Sequence, residues 1–127
     1  MSTFLVVSLI LWHHFIADFV CQTDWMAKNK SSNYKALLAH VAVYTVVLGS
    51  GISSFFYFAD VMPIDYTLVV FWALLNGILH GVVDFCTSRA SSYFWSKGDT
   101  HNFFVVIGFD QFLHSITLIG TFIWIFT

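Results

Sequence analysis

Residues 66–88, YTLVVFWALLNGILHGVVDFCTS, are almost continuously apolar and contain only two ionisable side chains that are not at the ends, His80 and Asp84. A helix rises 1.5 Å per residue, so about 20 such residues cross a hydrocarbon layer roughly 30 Å thick. This stretch therefore predicts a membrane-spanning helix. Working outward, residues 3–22, 36–59 and 102–126 meet the same requirement, and the segments between them are polar or carry turn residues. The expected fold is all-α: an integral membrane four-helix bundle, with residues 1–127 forming one domain.

Composition points the same way. Of 127 residues, 58% are hydrophobic and 20% aromatic, with only 9% charged and a mean hydropathy of +0.79. Ordinary soluble domains carry roughly a quarter charged residues, so a water-soluble globule, a disordered chain and a nucleic-acid binder are all excluded. Every lysine and arginine falls in the first or third connection, whereas the second holds Asp60, Pro63 and Asp65. The positive-inside rule then predicts that connections one and three face the cytoplasm and both termini lie outside it, in a bacterial or host inner membrane. Trp25, Tyr34, Tyr93 and Trp95 fit an inner aromatic belt, and Tyr57, Tyr66 and Trp124 an outer one. The first run has no basic leader or cleavage pattern and is expected to be a permanent span. Cys21 and Cys86 do not read as a disulfide framework.

An ionised side chain at mid-bilayer costs on the order of 2.5–3.5 kcal/mol on insertion scales, yet the spans carry several. His14, Asp18 and Gln22 follow an i, i+4, i+8 spacing that sets them in one stripe on a helix. Asn76, His80 and Asp84 repeat it, Asp110 and His114 form another i, i+4 pair, and His40 stands near the start of the second span. With the predicted orientation these stripes share the cytoplasmic half, so they are expected to converge. Imidazole and carboxylate donors suit zinc first, then manganese or iron. Three aspartates and four histidines allow one or two divalent ions. The candidate ligands are His14, Asp18, His40, His80, Asp84, Asp110 and His114, with Gln22, Asn76 and Gln111 as orienting groups. Hydrogen-bonded glue between helices and a proton or ion path are the alternatives for the same residues.

Other residues read as structural. His13 lies about 100° around the helix from His14 and suits packing or lipid, and His101 suits a solvated interface. Gly77 and Gly81 form a GxxxG that invites close helix approach. Gly49, Ser50, Gly51, Ser53 and Ser54 offer a similar small face on the second span.

The stretch from His14 through Asp18, Gln22, Asp24 and Trp25 to Lys28 resembles a family of small bacterial and phage membrane proteins. That family is catalogued as a domain of unknown function, of the DUF3307 type. His40, His80-Gly-Val-Val-Asp84 and Asp110-Gln111-Phe-Leu-His114 match as well, and the likeness covers nearly the whole chain. The family pattern implies His14, Asp18, Gln22, His40, His80, Asp84, Asp110, Gln111 and His114 as site residues. Cys21 and Thr87 depart from it. A more distant resemblance, to membrane-bound metal-dependent hydrolases, implies a metal-assisted reaction.

The leading expectation is thus an intramembrane divalent-metal protein. It would hydrolyse a lipid, a lipid-linked molecule or a membrane-embedded peptide from the cytoplasmic side, with Asp110 or Asp18 as general base. A proton or metal-ion carrier, and a non-catalytic membrane modulator with a structural metal, are the other readings. Expected partners are membrane lipids, a membrane protein or further copies of the chain, with no nucleic acid.

Overall fold

The computed structural model describes residues 3–59 and 64–127; Asp60 and Pro63 of the second connection lie outside them. Four helical segments are long and apolar enough to cross a membrane. The first is α1, Thr3–Phe15, continued by a π-helical turn at Ile16–Val20. A short helix α2, Asp24–Asn29, follows it. Then come α3, Tyr34–Ala59, α4, Tyr66–Ser96, and α5, Thr100–Phe126. Within the described residues the fold is all-α.

The helix ends follow local chemistry. Thr23 begins α2 by accepting from the Met26 backbone N–H, and Asp65 begins α4 by accepting from that of Thr67. Each side chain satisfies a donor that the first helical turn leaves without a partner. Between α4 and α5 the chain reverses at Gly98, whose φ of 71° is costly for any residue with a Cβ. Asp99 then caps α5 by accepting from Asn102 N.

The bundle closes in the order α1, α3, α4, α5, with α5 returning to α1. α3 and α4 approach closely at glycine. A methyl group at Gly77 would run into Thr45, and one at Gly81 would press on Val41. Small side chains let backbones draw together, which matters where lipid, not water, is the competing solvent. Large apolar side chains such as Phe4, Trp12, Val46, Phe71, Ile78, Phe104 and Trp124 point outward.

The interior has two unlike halves. Toward the second connection it is a packed apolar core of Ile10, Leu48, Ile52, Phe56, Val69, Trp72 and Leu118. Toward the lysine-bearing connections it is lined by buried His14, Asp18, His40, His80, Asp84 and His114.

The expected spans differ from the observed helices mainly at that polar end. α4 runs to Ser96, eight residues beyond its expected limit, and at 1.5 Å per residue its 31 residues span about 46 Å. It is thus longer than the hydrocarbon layer. The first span is not a regular α-helix to Gln22. Its last turn is π-helical and its register changes beside Asp18.

Candidate metal centre

Four side chains from the first span, α3 and α4 form the densest group. His40 Nε2 lies 3.1 Å from Asp18 Oδ1, 2.9 Å from His80 Nε2 and 3.2 Å from Asp84 Oδ2. His80 Nε2 lies 3.5 Å from Asp18 Oδ1 and 3.6 Å from Asp84 Oδ2. All four residues are buried, and one donor atom from each falls within 4.8 Å of the others. Donors about 2.0–2.2 Å from a tetrahedral zinc sit roughly 3.3–3.6 Å from one another. The donor set and its spacing therefore fit one divalent ion.

A second group, Asp18, Asp110 and His114, adjoins the first. His114 Nε2 lies 3.3 Å from Asp110 Oδ1 and 3.4 Å from Asp84 Oδ1, but neither oxygen is aligned for a hydrogen bond. Thr87 Oγ1 donates to Asp110 Oδ1. Gln111 Nε2 donates to Asp110 Oδ2 at 2.9 Å and to Asp18 Oδ2 at 3.1 Å.

The two groups are coupled through one contact, His80 Nδ1 to His114 Nδ1 at 3.2 Å. One of these nitrogens donates and the other accepts, and a neutral imidazole carries a single proton. With His80 donating, its Nε2 lone pair faces His40, Asp18 and Asp84, while His114 holds its proton on Nε2 between Asp84 and Asp110. With the roles reversed, the lone pair appears at His114 and is lost at His80. While both rings are neutral and keep this contact, His80 and His114 cannot both present an Nε2 lone pair, whereas His40 is not bound by it.

Three further residues hold the rings in place. Tyr44 is stacked on His80, with centroids 3.8 Å apart and planes 3° from parallel. Its hydroxyl lies 3.3 Å from His14 Nδ1. His14 Nε2 donates to Gln111 Oε1 at 3.1 Å, so Tyr44 donates to Nδ1. Lys30, from the connection after α2, sets its ammonium 2.7 Å from Asp84 Oδ2. Three carboxylates against that one ammonium leave a formal deficit of two positive charges, which a divalent cation matches.

The sequence candidates divide accordingly. Asp18, His40, His80, Asp84, Asp110 and His114 come together. His14 belongs to neither group; it lies 3.9 Å from Asp18 Oδ2 and bonds to Tyr44 and Gln111. Gln111 links the two carboxylates, as an orienting amide would. Asn76 turns away and donates to Trp72 O and Thr121 Oγ1. Gln22, one turn beyond Asp18, has a buried Oε1 without a partner and lines a cavity beside the centre. Asp18 borders that cavity too, but the π-helical turn ends at Val20 and Gln22 lies beyond it, outside the four-residue group. Such turns are rare and favour functional sites. Tyr44 and Lys30 were not among the candidates. Tyr44 stands at i+4 from His40, a signal in plain sight, whereas nothing local ties Lys30 to Asp84, 54 residues away.

The family model for a protein of unknown function, DUF3307, matches residues 5–127. The chain belongs to this family. No curated protein and no solved structure matches it. The DUF3307 description carries no reaction, so any activity must be argued from the side chains themselves.

Proposed function

We propose that this DUF3307 protein binds one divalent ion, zinc foremost, through Asp18, His40, His80 and Asp84, and uses it to hydrolyse a membrane-held substrate. The observation that carries this reading is the buried two-histidine, two-aspartate group. Burying so many ionisable groups within membrane spans is expensive unless they are paired or bind a cation. The histidine tautomers favour one ion over two, because His80 and His114 cannot both present their Nε2 lone pairs. Manganese or iron would suit the same donors.

A bound divalent ion would supply a nucleophilic hydroxide near neutral pH and polarise the bond to be cleaved. The chain's own groups fit the accompanying proton traffic. Asp110, outside the four-donor group, is the general base we favour over Asp18, and His114, whose Nε2–H faces it in the tautomer that frees His80 Nε2, supports its carboxylate charge. Gln111 holds Asp110 toward Asp18, and Tyr44 keeps the His80 ring from turning. The lysines and arginine of the first and third connections support a centre on the cytoplasmic side of an inner membrane, where a lipid, a lipid-linked molecule or a membrane-embedded peptide would reach it.

A carrier is less well supported. Among the described residues, the fully buried layer of Leu48, Ile52, Val69 and Trp72 offers an ion no polar group on the way toward the second connection. The test is elemental analysis of chain purified without chelators, followed by lipid extracts from cells making the wild type or Asp110→Asn. One ion per chain and a changed lipid profile are expected. A metal-free wild type would sink the whole reading. Bound metal with identical lipid profiles would leave a structural metal in a non-catalytic membrane protein.

A further inference from the structure

Beside the centre lies a cavity of about 280 Å³, and its walls differ in kind. Its floor is Asp18, Asp110 and Gln111, the edge of the metal centre. One side carries Ser88, Ser91 and Ser92, and the rim carries Lys28 and Lys30. The remaining wall is Phe19, Phe103, Val106 and Ile107. Two buried polar atoms around it, Ser88 Oγ and Gln22 Oε1, have no hydrogen-bond partner. Unsatisfied buried polar atoms are costly; in this shared space the Ser88 hydroxyl can donate to an anion, whereas Gln22 Oε1 accepts only and needs a donor such as water.

Depth identifies what fills it. Counting about 20 residues from Tyr66 crosses the hydrocarbon layer and ends near Cys86. The hydroxyl-bearing turns from Thr87 to Ser92 therefore stand at the level of lipid headgroups. Counting back from Phe126 brings Val106 and Ile107 to the same boundary. Trp25, Tyr93 and Trp95, exposed nearby, are the side chains expected at that level. On one side the cavity is bounded by side chains alone. The backbone of α5 lies against α4 and touches α1, but among the described residues it does not approach the π-helical turn or α2. The Gln111 side chain reaches across by bonding to Asp18.

We infer that this cavity is a headgroup site for a membrane lipid that ends in a phosphate monoester, with the phosphate between the Ser88 hydroxyl and the lysines and the chain start against Phe19 and Phe103. Hydroxyl and ammonium donors match phosphate oxygens, and a charge-assisted bond from lysine is the stronger kind. Asp18 and Asp110 would repel an anion unless a cation lies between, so the inference rests on the metal reading. The apolar wall distinguishes a lipid from free phosphate. It offers an inorganic ion nothing and covers the first carbons of an acyl chain.

The test uses the full chain, zinc-loaded, in nanodiscs of phosphatidylcholine containing a minority of phosphatidic acid, with retained lipid identified by native mass spectrometry. Retention of phosphatidic acid is expected. The double variant Lys28→Gln with Ser88→Ala should weaken it roughly tenfold or more while leaving metal content unchanged. Neither side chain bonds to the metal centre, and Ser88 Oγ has no partner to lose. A metal-loaded protein that retains no more phosphatidic acid than phosphatidylcholine would overturn this inference and spare the metal. A metal-free wild type would instead fail the reading beneath it. Displacement of the lipid by inorganic phosphate at equal concentration, with Phe103→Ser indistinguishable from wild type, would make this a free-anion site and overturn the lipid assignment.

Discussion

The two halves of the bundle face the same lipid on the outside yet are built on opposite terms inside. The half toward the second connection is packed with Leu48, Ile52, Phe56, Val69, Trp72 and Leu118. Its one notable polar device has Trp72 Nε1 and Asn76 Nδ2 both donating to Thr121 Oγ1. The other half gathers aspartates and histidines whose donor atoms crowd within a few ångströms. Within lipid, leaving water drives neither half together. The apolar half is held by close packing and small residues, and the polar half exists at a cost that only a bound cation or mutual pairing offsets. One half is a scaffold and the other a candidate site.

If that division is right, substitutions should separate cleanly into those that change metal content and those that change only stability. The largest effect is expected from His80→Ala, which removes a donor from the four-residue group and the link to His114. Metal content by elemental analysis should fall to background, and retention of a full ion would show that the group is not the ligand set. Next comes Leu48→Ala in the apolar half. A buried leucine truncated to alanine costs about 2–5 kcal/mol, read as a lower unfolding temperature in detergent with metal content unchanged. A change in metal content would mean that the halves are coupled.

Gln111→Ala tests the boundary of the site. It removes bonds to His14, Asp18 and Asp110 without deleting a donor of the four-residue group, and loss of such supporting bonds typically weakens metal affinity about 10–100-fold. Competition with a graded chelator measures this, and an unchanged affinity would make Gln111 a packing residue. The smallest effect is expected from Thr121→Val. Interhelical bonds of this kind are worth about 1 kcal/mol, so stability should fall by that order with no change in metal.

Much of this was open to reading from local spacing. The i, i+4 pairs His80–Asp84 and Asp110–His114 lie on regular helices, where spacing alone sets a shared face, and both pairs reach the centre. Spacing misled where the helix is not regular. His14, Asp18 and Gln22 were expected in one stripe, but the π-helical turn ends at Val20, so Asp18 joins the four-residue group while Gln22, past the helix end, reaches only the cavity that Asp18 also borders. It also erred where a stripe outruns the site. Asn76 lies on the same α4 face as His80 but one turn nearer the apolar half, where Thr121 is its partner.

The order of apolar runs, their lengths and the confinement of lysine and arginine to two connections were enough to determine four membrane-crossing helices and to mark one half as polar. These follow from the cost of exposing charge and backbone to lipid, which acts on each segment separately. Which donors lie close enough to share an ion was decided only in three dimensions. The His80–His114 contact couples the tautomers of two rings, Lys30 closes on Asp84 from a distant connection, and Tyr44 stacks on a ring from another helix. Such pairings depend on how neighbouring helices rotate and approach at Gly77 and Gly81, and no single segment encodes that.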